Sequence, residues 1–148
     1  MNATIAPLAL TMGEPAGIGG ECTIHAWQTL RHEQIPFFLI GDPEYIAALA
    51  HQLGWKIAVA EVETANEASD AFATALPVLP IRLGHPVTLG QPHNRNSKTV
   101  ISSIERAVAL TASGEASAVV TNPIQKSTLY EAGFSYPGHT EFLGALAS

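Results

Sequence analysis

What most constrains this chain is the repeated succession of a short apolar run, a turn and a stretch of helical period. Ile5 to Leu10, Phe37 to Ile40 and Ala118 to Val120 are too short for buried helices and aliphatic enough for interior strands. The first run ends in a glycine-rich bend, Gly13-Glu-Pro-Ala-Gly17-Ile-Gly19-Gly20, and a helix-compatible stretch continues to about Leu30. The second stops at Gly41. Asp42 and Pro43 then have the character of an N-cap and first helical residue, with Tyr45, Ile46, Leu49 and Leu53 at helical spacing before Gly54. After the third, Asn122-Pro123 turns the chain into a short helix from Ile124 to Ala132, closed by Gly133, and Pro137-Gly138 precedes another helical stretch. Strands that alternate with helices specify an α/β fold with a mainly parallel sheet and flanking helices.

The intervening segments are less regular. Lys56 to Val62 alternates as a strand does, and the alanine-rich stretch Glu63 to Ala75 suits either a weak helix or a loop. Leu76 to Leu83 contains Pro77 and Pro80, which predicts an edge strand or an extended connector. Gly84 to Asn96 is the longest irregular segment. From Ser97 to Ser113, Val100, Ile101, Ile104, Ala107, Val108 and Ala112 define a helix face, with Ser102, Ser103 and Arg106 off it and Gly114 as the stop. Thr140 to Ser148 begins another helix, with Phe142, Leu143 and Leu146 on one side.

Only 14% of the 148 residues are charged and 47% are apolar. Disordered, collagenous and coiled-coil chains are thereby excluded. So little charge also implies that part of the surface is covered by further polypeptide or a second subunit, and the chain is expected to be a piece of a longer one. The net charge of −6, with the basic residues scattered, argues against nucleic acid as a partner. A lone cysteine, Cys22, permits no internal disulfide, and its place on a helix suggests a packed thiol. No basic leader precedes the first apolar run and no run approaches the roughly 18 residues of a membrane span, so a cytoplasmic protein without membrane partners is expected.

Three segments have the residue types for site chemistry. In the glycine-rich bend, Gly13, Gly17 and Gly19 let backbone approach a ligand, with Glu14 beside them and the start of a helix presenting unpaired N–H groups. The spacing is neither the dinucleotide fingerprint nor a Walker A loop, and a tight turn with packing glycines is an equal alternative. In Thr121-Asn-Pro-Ile-Gln-Lys126, Lys126 can meet a phosphate or carboxylate and Asn122 can add directional hydrogen bonds, unless Lys126 is simply solvated. In Tyr136-Pro-Gly-His-Thr-Glu141, His139 and Thr140 present an imidazole and a hydroxyl at a helix start, or Thr140 merely caps it. The other histidines, 25, 32, 51, 85 and 93, show no metal-ligand spacing, and no G-x-S-x-G elbow occurs.

Taken together, Thr11-Met-Gly-Glu-Pro-Ala-Gly-Ile-Gly-Gly-Glu21, Thr121 to Lys126 and Ala132-Gly-Phe-Ser-Tyr-Pro-Gly-His-Thr-Glu-Phe-Leu143 resemble the 4-hydroxythreonine-4-phosphate dehydrogenase family of pyridoxal phosphate synthesis. Val87 to Gln91 and Asn96 match its layout too, and the first bend is more loosely similar to isocitrate and isopropylmalate dehydrogenases. The resemblance implies an isocitrate/isopropylmalate dehydrogenase-like fold, incomplete here, in which residues 1–148 form most of a first domain and the start of a second from about residue 122. It implies NAD-dependent, metal-assisted oxidation of 4-phosphooxy-L-threonine followed by loss of carbon dioxide, in a homodimer. It makes His139, Thr140 and Asn122 substrate-binding candidates and Lys126 the catalytic candidate. The divalent metal's ligands and most NAD contacts are expected after Ser148, which would leave residues 1–148 inactive alone. Gly20 stands where the family usually has Pro. A dehydrogenase of 4-phosphorylated threonate or erythronate, a non-catalytic phosphometabolite-binding module and a phosphate acyltransferase of related architecture are the competing readings.

Overall fold

The computed structural model describes residues 4–148. Five strands, β1 (Leu8–Thr11), β2 (Phe37–Gly41), β3 (Val59–Glu61), β4 (Leu76–Pro80) and β5 (Val119–Val120), form one sheet in the order β3-β4-β2-β1-β5. Every pairing is parallel. The helices are α1 (Gly19–Leu30), α2 (Pro43–Gln52), α3 (Ala65–Ala71), α4 (Ser97–Ala112), α5 (Lys126–Glu131) and α6 (His139–Ala147). A parallel sheet must be covered on both faces, and β2 shows the consequence, since all five of its residues are buried. Phe37 and Leu39 join Leu10, Ile24, Trp27, Ile46, Leu49 and Val78 on one face. Phe38 and Ile40, one step out of phase, join Ala9, Leu79, Ala107 and Leu110 on the other.

Local chemistry sets the boundaries. Asp42 accepts the backbone N–H groups of Glu44 and Tyr45 and starts α2 with Pro43 in its first turn, as the sequence predicts. The alanine-rich stretch that suited helix or loop is a helix, α3. Thr64 Oγ1 accepts the Glu67 N–H, and the Glu67 carboxylate accepts the Glu63 N–H at 2.7 Å, so reciprocal capping supplies what the weak apolar pattern does not.

Three expectations are corrected. The proline-containing segment is no edge: β4 lies between β3 and β2. Leu76 donates to Ala58 O and Val78 O accepts from Val62, so these residues bond toward β3. By alternation Pro77 faces β2 one position before that ladder's first pair, Val78 with Leu39, and Pro80 faces β3 beyond its last, Val78 with Glu61. Each missing N–H therefore falls where a neighbouring ladder is not running. Ser103, placed off the apolar face of its helix, is fully buried; its hydroxyl accepts the Met12 N–H at 3.0 Å and donates to Ile40 O at 2.7 Å, tying α4 to the ends of β1 and β2. Cys22 is exposed rather than packed. It lines an open apolar groove beside β5 with Leu10, Ala26, Leu30 and Val120.

A separate apolar cluster lies beyond the sheet. Val100 and Ile104 of α4 meet Leu129, Phe134 and Phe142 from α5, α6 and the turn between them. Phe142 stands edge-on to Phe134, ring centroids 5.1 Å apart. This cluster fixes where α6 begins, and so where His139 stands.

Candidate functional site

After β1 the chain leads through α1 to β2 on one side, whereas β5 is added on β1's other side. The strand order therefore switches direction between β1 and β5, and a crevice at the carboxyl ends of strands at such a point is where open α/β sheets bind ligands. The loop after β1 is the glycine-rich bend, and the loop after β5 is Thr121 to Gln125.

These loops are locked together. Gly13 has φ +65°, and a Cβ there would stand 2.5 Å from Pro123 O and 2.8 Å from Asn122 Cβ. A Cβ on Gly19 would come within 3.0 Å of Met12 O and 3.2 Å of Asn122 Cβ. Glu14 N–H donates to Pro123 O at 2.8 Å. Asn122 is buried: its backbone N–H donates to Thr11 Oγ1, and its amide Nδ2 donates to Thr11 O and Thr23 Oγ1, both at 2.9 Å. The Thr23 hydroxyl in turn donates to Gly19 O at 2.7 Å. Thr11 and Thr23 were not singled out in the sequence. A polar β-branched residue ending an apolar strand was the available signal.

Within the bend, donors turn inward. Ala16 N–H bonds the Glu14 carboxylate, Gly17 N–H bonds Glu14 O, and Ala16 O accepts the Gly90 N–H. A Cβ on Gly17 would lie 3.3 Å from Glu14 O, an approach set by this same turn. Glu14 is only 7% exposed; burial pushes its carboxyl above the usual range, and the Ala16 N–H opposes the shift. The Tyr45 phenol, another residue the sequence did not mark, donates to Pro15 O. Burial first, then Glu14 and Glu21, push it up to about 12. Gly20, where the resemblance leads one to expect Pro, packs on α2, and a Cβ there would meet Leu49 Cδ2 at 2.5 Å.

Lys126 and His139 form the second group. Lys126 opens α5 and its side chain crosses Gly138: a Cβ on that glycine would lie 3.4 Å from Lys126 Cε, 3.6 Å from Nζ and 3.7 Å from Glu141 Oε2. His139 opens α6, and its Nε2 is buried with no hydrogen-bond partner. Burial, and then the Lys126 ammonium, hold the imidazole below its usual value, so the ring is neutral at pH 7. Thr140 is exposed and does not cap α6; the N-cap position is Gly138, without a side-chain bond. The structure thus brings Gly13, Glu14 and Gly19 against the loop of Asn122, with Gly17 packed on Glu14, and Lys126 beside His139, which Thr140 follows in the chain. Among the described residues no hydrogen bond joins the two sets, which the segment Pro123 to Gln125 connects. No three His, Cys, Asp or Glu side chains among the described residues could hold a metal ion, and no helix among them is long and apolar enough to cross a membrane.

Comparison with known proteins bears on the whole chain. The family model described as pyridoxal phosphate biosynthetic protein PdxA matches residues 33–148. A 4-hydroxythreonine-4-phosphate dehydrogenase of Methylorubrum extorquens is 53% identical over 146 residues, covering 96% of this chain and 41% of that protein. Crystal structures of 4-hydroxythreonine-4-phosphate dehydrogenases from Klebsiella pneumoniae and Burkholderia phymatum superpose with TM-scores of 0.82 and 0.83 at 29% identity, covering 95% and 98% of this chain and 44% of each of theirs. The chain therefore spans about two-fifths of the length of these curated relatives. With the fold, the sequence identity and the match over residues 33–148 in agreement, the chain belongs to the PdxA family.

Proposed function

We propose that this chain is the substrate-gripping N-terminal part of an NAD-dependent, metal-assisted dehydrogenase. It would oxidise the C3 hydroxyl of 4-phosphooxy-L-threonine and release carbon dioxide, in the cytoplasm, as a homodimer. One observation carries the reading: an imidazole with an unpartnered buried Nε2 stands beside an ammonium at the start of α6. Burying a polar nitrogen without a partner is unfavourable unless a ligand completes it. A phosphorylated hydroxy acid fits that need, because Lys126 can pair with an anionic oxygen while His139 Nε2 hydrogen-bonds a neighbouring one. Thr140, exposed one residue on, adds a hydroxyl. In this reading Asn122 acts chiefly by pinning the loop after β5 to Thr11 and Thr23, and Lys126 is the charged group at the reacting end.

The residues described here fit neither cofactor. The N–H groups of Glu14, Ala16 and Gly17 are bonded within the protein, and the bend's spacing is not that of a dinucleotide cradle. No set of three metal donors is present among the described residues. When bound, NAD would accept the hydride and a divalent ion would polarise the hydroxyl oxygen, both held by residues beyond this chain. The division into a first domain and a second beginning near residue 122 belongs to the same reading, supported by the separate cluster around Phe134 and Phe142.

Steady-state kinetics on a full-length protein carrying these residues test the site. Lys126→Ala and His139→Asn should each raise KM for 4-phosphooxy-L-threonine at least about tenfold, the loss expected when a charge-assisted bond is removed. Wild-type KM in both variants would reject it. Parallel assays with 4-phosphorylated threonate and erythronate identify the substrate, and turnover by residues 1–148 alone would refute their inactivity.

A further inference from the structure

The segment Gly84 to Asn96 leaves β4 and returns to α4, and its ends are drawn together. His85 N–H donates to the Asn96 side-chain oxygen at 2.9 Å, and a Cβ on Gly84 would lie 3.0 Å from Arg95 O. Between them the imidazoles of His85 and His93 stack face to face, centroids 3.7 Å apart and planes within 8°. A loop with a closed neck and a compact tip results. At the tip, Gln91 N–H bonds Thr88 O, Gly90 N–H bonds Ala16 O at 2.8 Å, and Leu89 packs against the core shared by α1 and α2. The tip therefore rests on the glycine-rich bend, and the neck is held by two rings that can each take up a proton.

We propose that the stacked His85 and His93 form a proton-released clasp, which holds the 84–96 loop on the glycine-rich bend when neutral and frees it when charged. The hydrogen bonds fix both tautomers. His85 Nδ1 faces Pro86 O at 2.8 Å, and a carbonyl only accepts, so this nitrogen carries hydrogen. His93 Nδ1 accepts the Arg95 N–H at 3.1 Å and caps the short 3-10 turn Asn94–Asn96, so it is bare and its ring neutral. The two rings thus respond differently. His85 can gain a proton at Nε2 without losing a bond, whereas an imidazolium at 93 has no lone pair and must release Arg95. Two charged rings at stacking distance would also repel.

The surroundings mostly oppose charge at 93. Desolvation, then His85, then Arg95 hold His93 below its usual value, and Glu131 of α5 acts the other way. His85 shares an open cavity with Asp42 and Glu44, whose carboxylates lie 3.3 Å and 3.9 Å from the Arg82 guanidinium. Lys98, in the first turn of α4, is exposed. At the tip the titratable neighbour is Glu14, which accepts the Ala16 N–H.

Nuclear magnetic resonance of the 15N-labelled chain tests the clasp, titrating from about pH 8 to about pH 5 across the usual imidazole range. The Arg95 and Gly90 amide resonances should shift with the same midpoint as the His93 ring protons, with loss of exchange protection at Gly90 on the acid side. His93→Asn keeps a cap acceptor that does not titrate, and should abolish the shift of Gly90. His85→Phe keeps a flat ring that cannot charge, and should move the His93 midpoint upward. A Gly90 amide indifferent to pH overturns the proposal. So does one that titrates unchanged in His93→Asn, which would assign the shift to Glu14, and so does an unmoved His93 midpoint in His85→Phe.

Discussion

Replacing Gly13 by Ala tests whether the loops after β1 and β5 are truly interlocked, and Gly54→Ala supplies the control. Both glycines have positive φ, +65° and +73°, so each alanine incurs about 1–2 kcal/mol for a left-handed backbone. A side chain on Gly54 would meet nothing within 4 Å, so that variant should lose little more. At Gly13 the new methyl would stand 2.5 Å from Pro123 O, where ordinary contact begins at 3.4 Å. The two backbones must part by about 0.9 Å, which takes the 2.8 Å bond from Glu14 N–H to Pro123 O out of range and loosens Asn122 from Thr11 and Thr23. Losing that bond inside a buried network adds about 1–3 kcal/mol, for a total of about 2–5 kcal/mol. Thermal unfolding followed by circular dichroism measures both variants. At about 2–4 °C per kcal/mol for a chain of this size, Gly54→Ala should lower Tm by a few degrees and Gly13→Ala by roughly 10 °C. Equal losses in the two variants would show that the approach of Gly13 to Pro123 holds nothing together.

Ser103→Ala leaves the Met12 N–H and Ile40 O without partners in a fully buried position. It should cost about 2–4 kcal/mol in urea unfolding and speed exchange of the Met12 amide, and a loss under about 0.5 kcal/mol would contradict the bridging role. Thr64→Ala removes the acceptor for Glu67 N–H and should destabilise α3 by about 1 kcal/mol, read as the urea midpoint. Glu14 carries a pH signature. Its folded pKa is raised, so its contribution to stability is present below the unfolded value of 4.5 and declines as pH rises through the folded value. Glu14→Gln keeps an acceptor for Ala16 and should flatten that decline. Parallel stability-pH curves for the two proteins would count against a buried carboxyl.

Much of this protein is settled by local pattern. The runs at 5–10, 37–40 and 118–120 each supply a strand because short aliphatic segments bury best in a sheet covered on both faces, although the first strand starts only at Leu8 and leaves Ile5 exposed, and Asp42-Pro43 had to begin a helix. His139, Thr140 and Lys126 were legible as a resemblance of motifs, and the family followed from it. Tertiary structure alone decided the rest, because it depends on partners distant along the chain. Pro77 and Pro80 sit in an interior strand because their missing N–H groups fall where the neighbouring ladders are not running, a register no local pattern encodes. Ser103, Thr23 and Thr11 became buried ties only when partners 91, 99 and 111 positions away in the sequence were brought alongside. The glycines at 13 and 19 were visible as freedom of backbone, but the close passage of a second loop, at Asn122 and Pro123, is what makes side chains there intolerable.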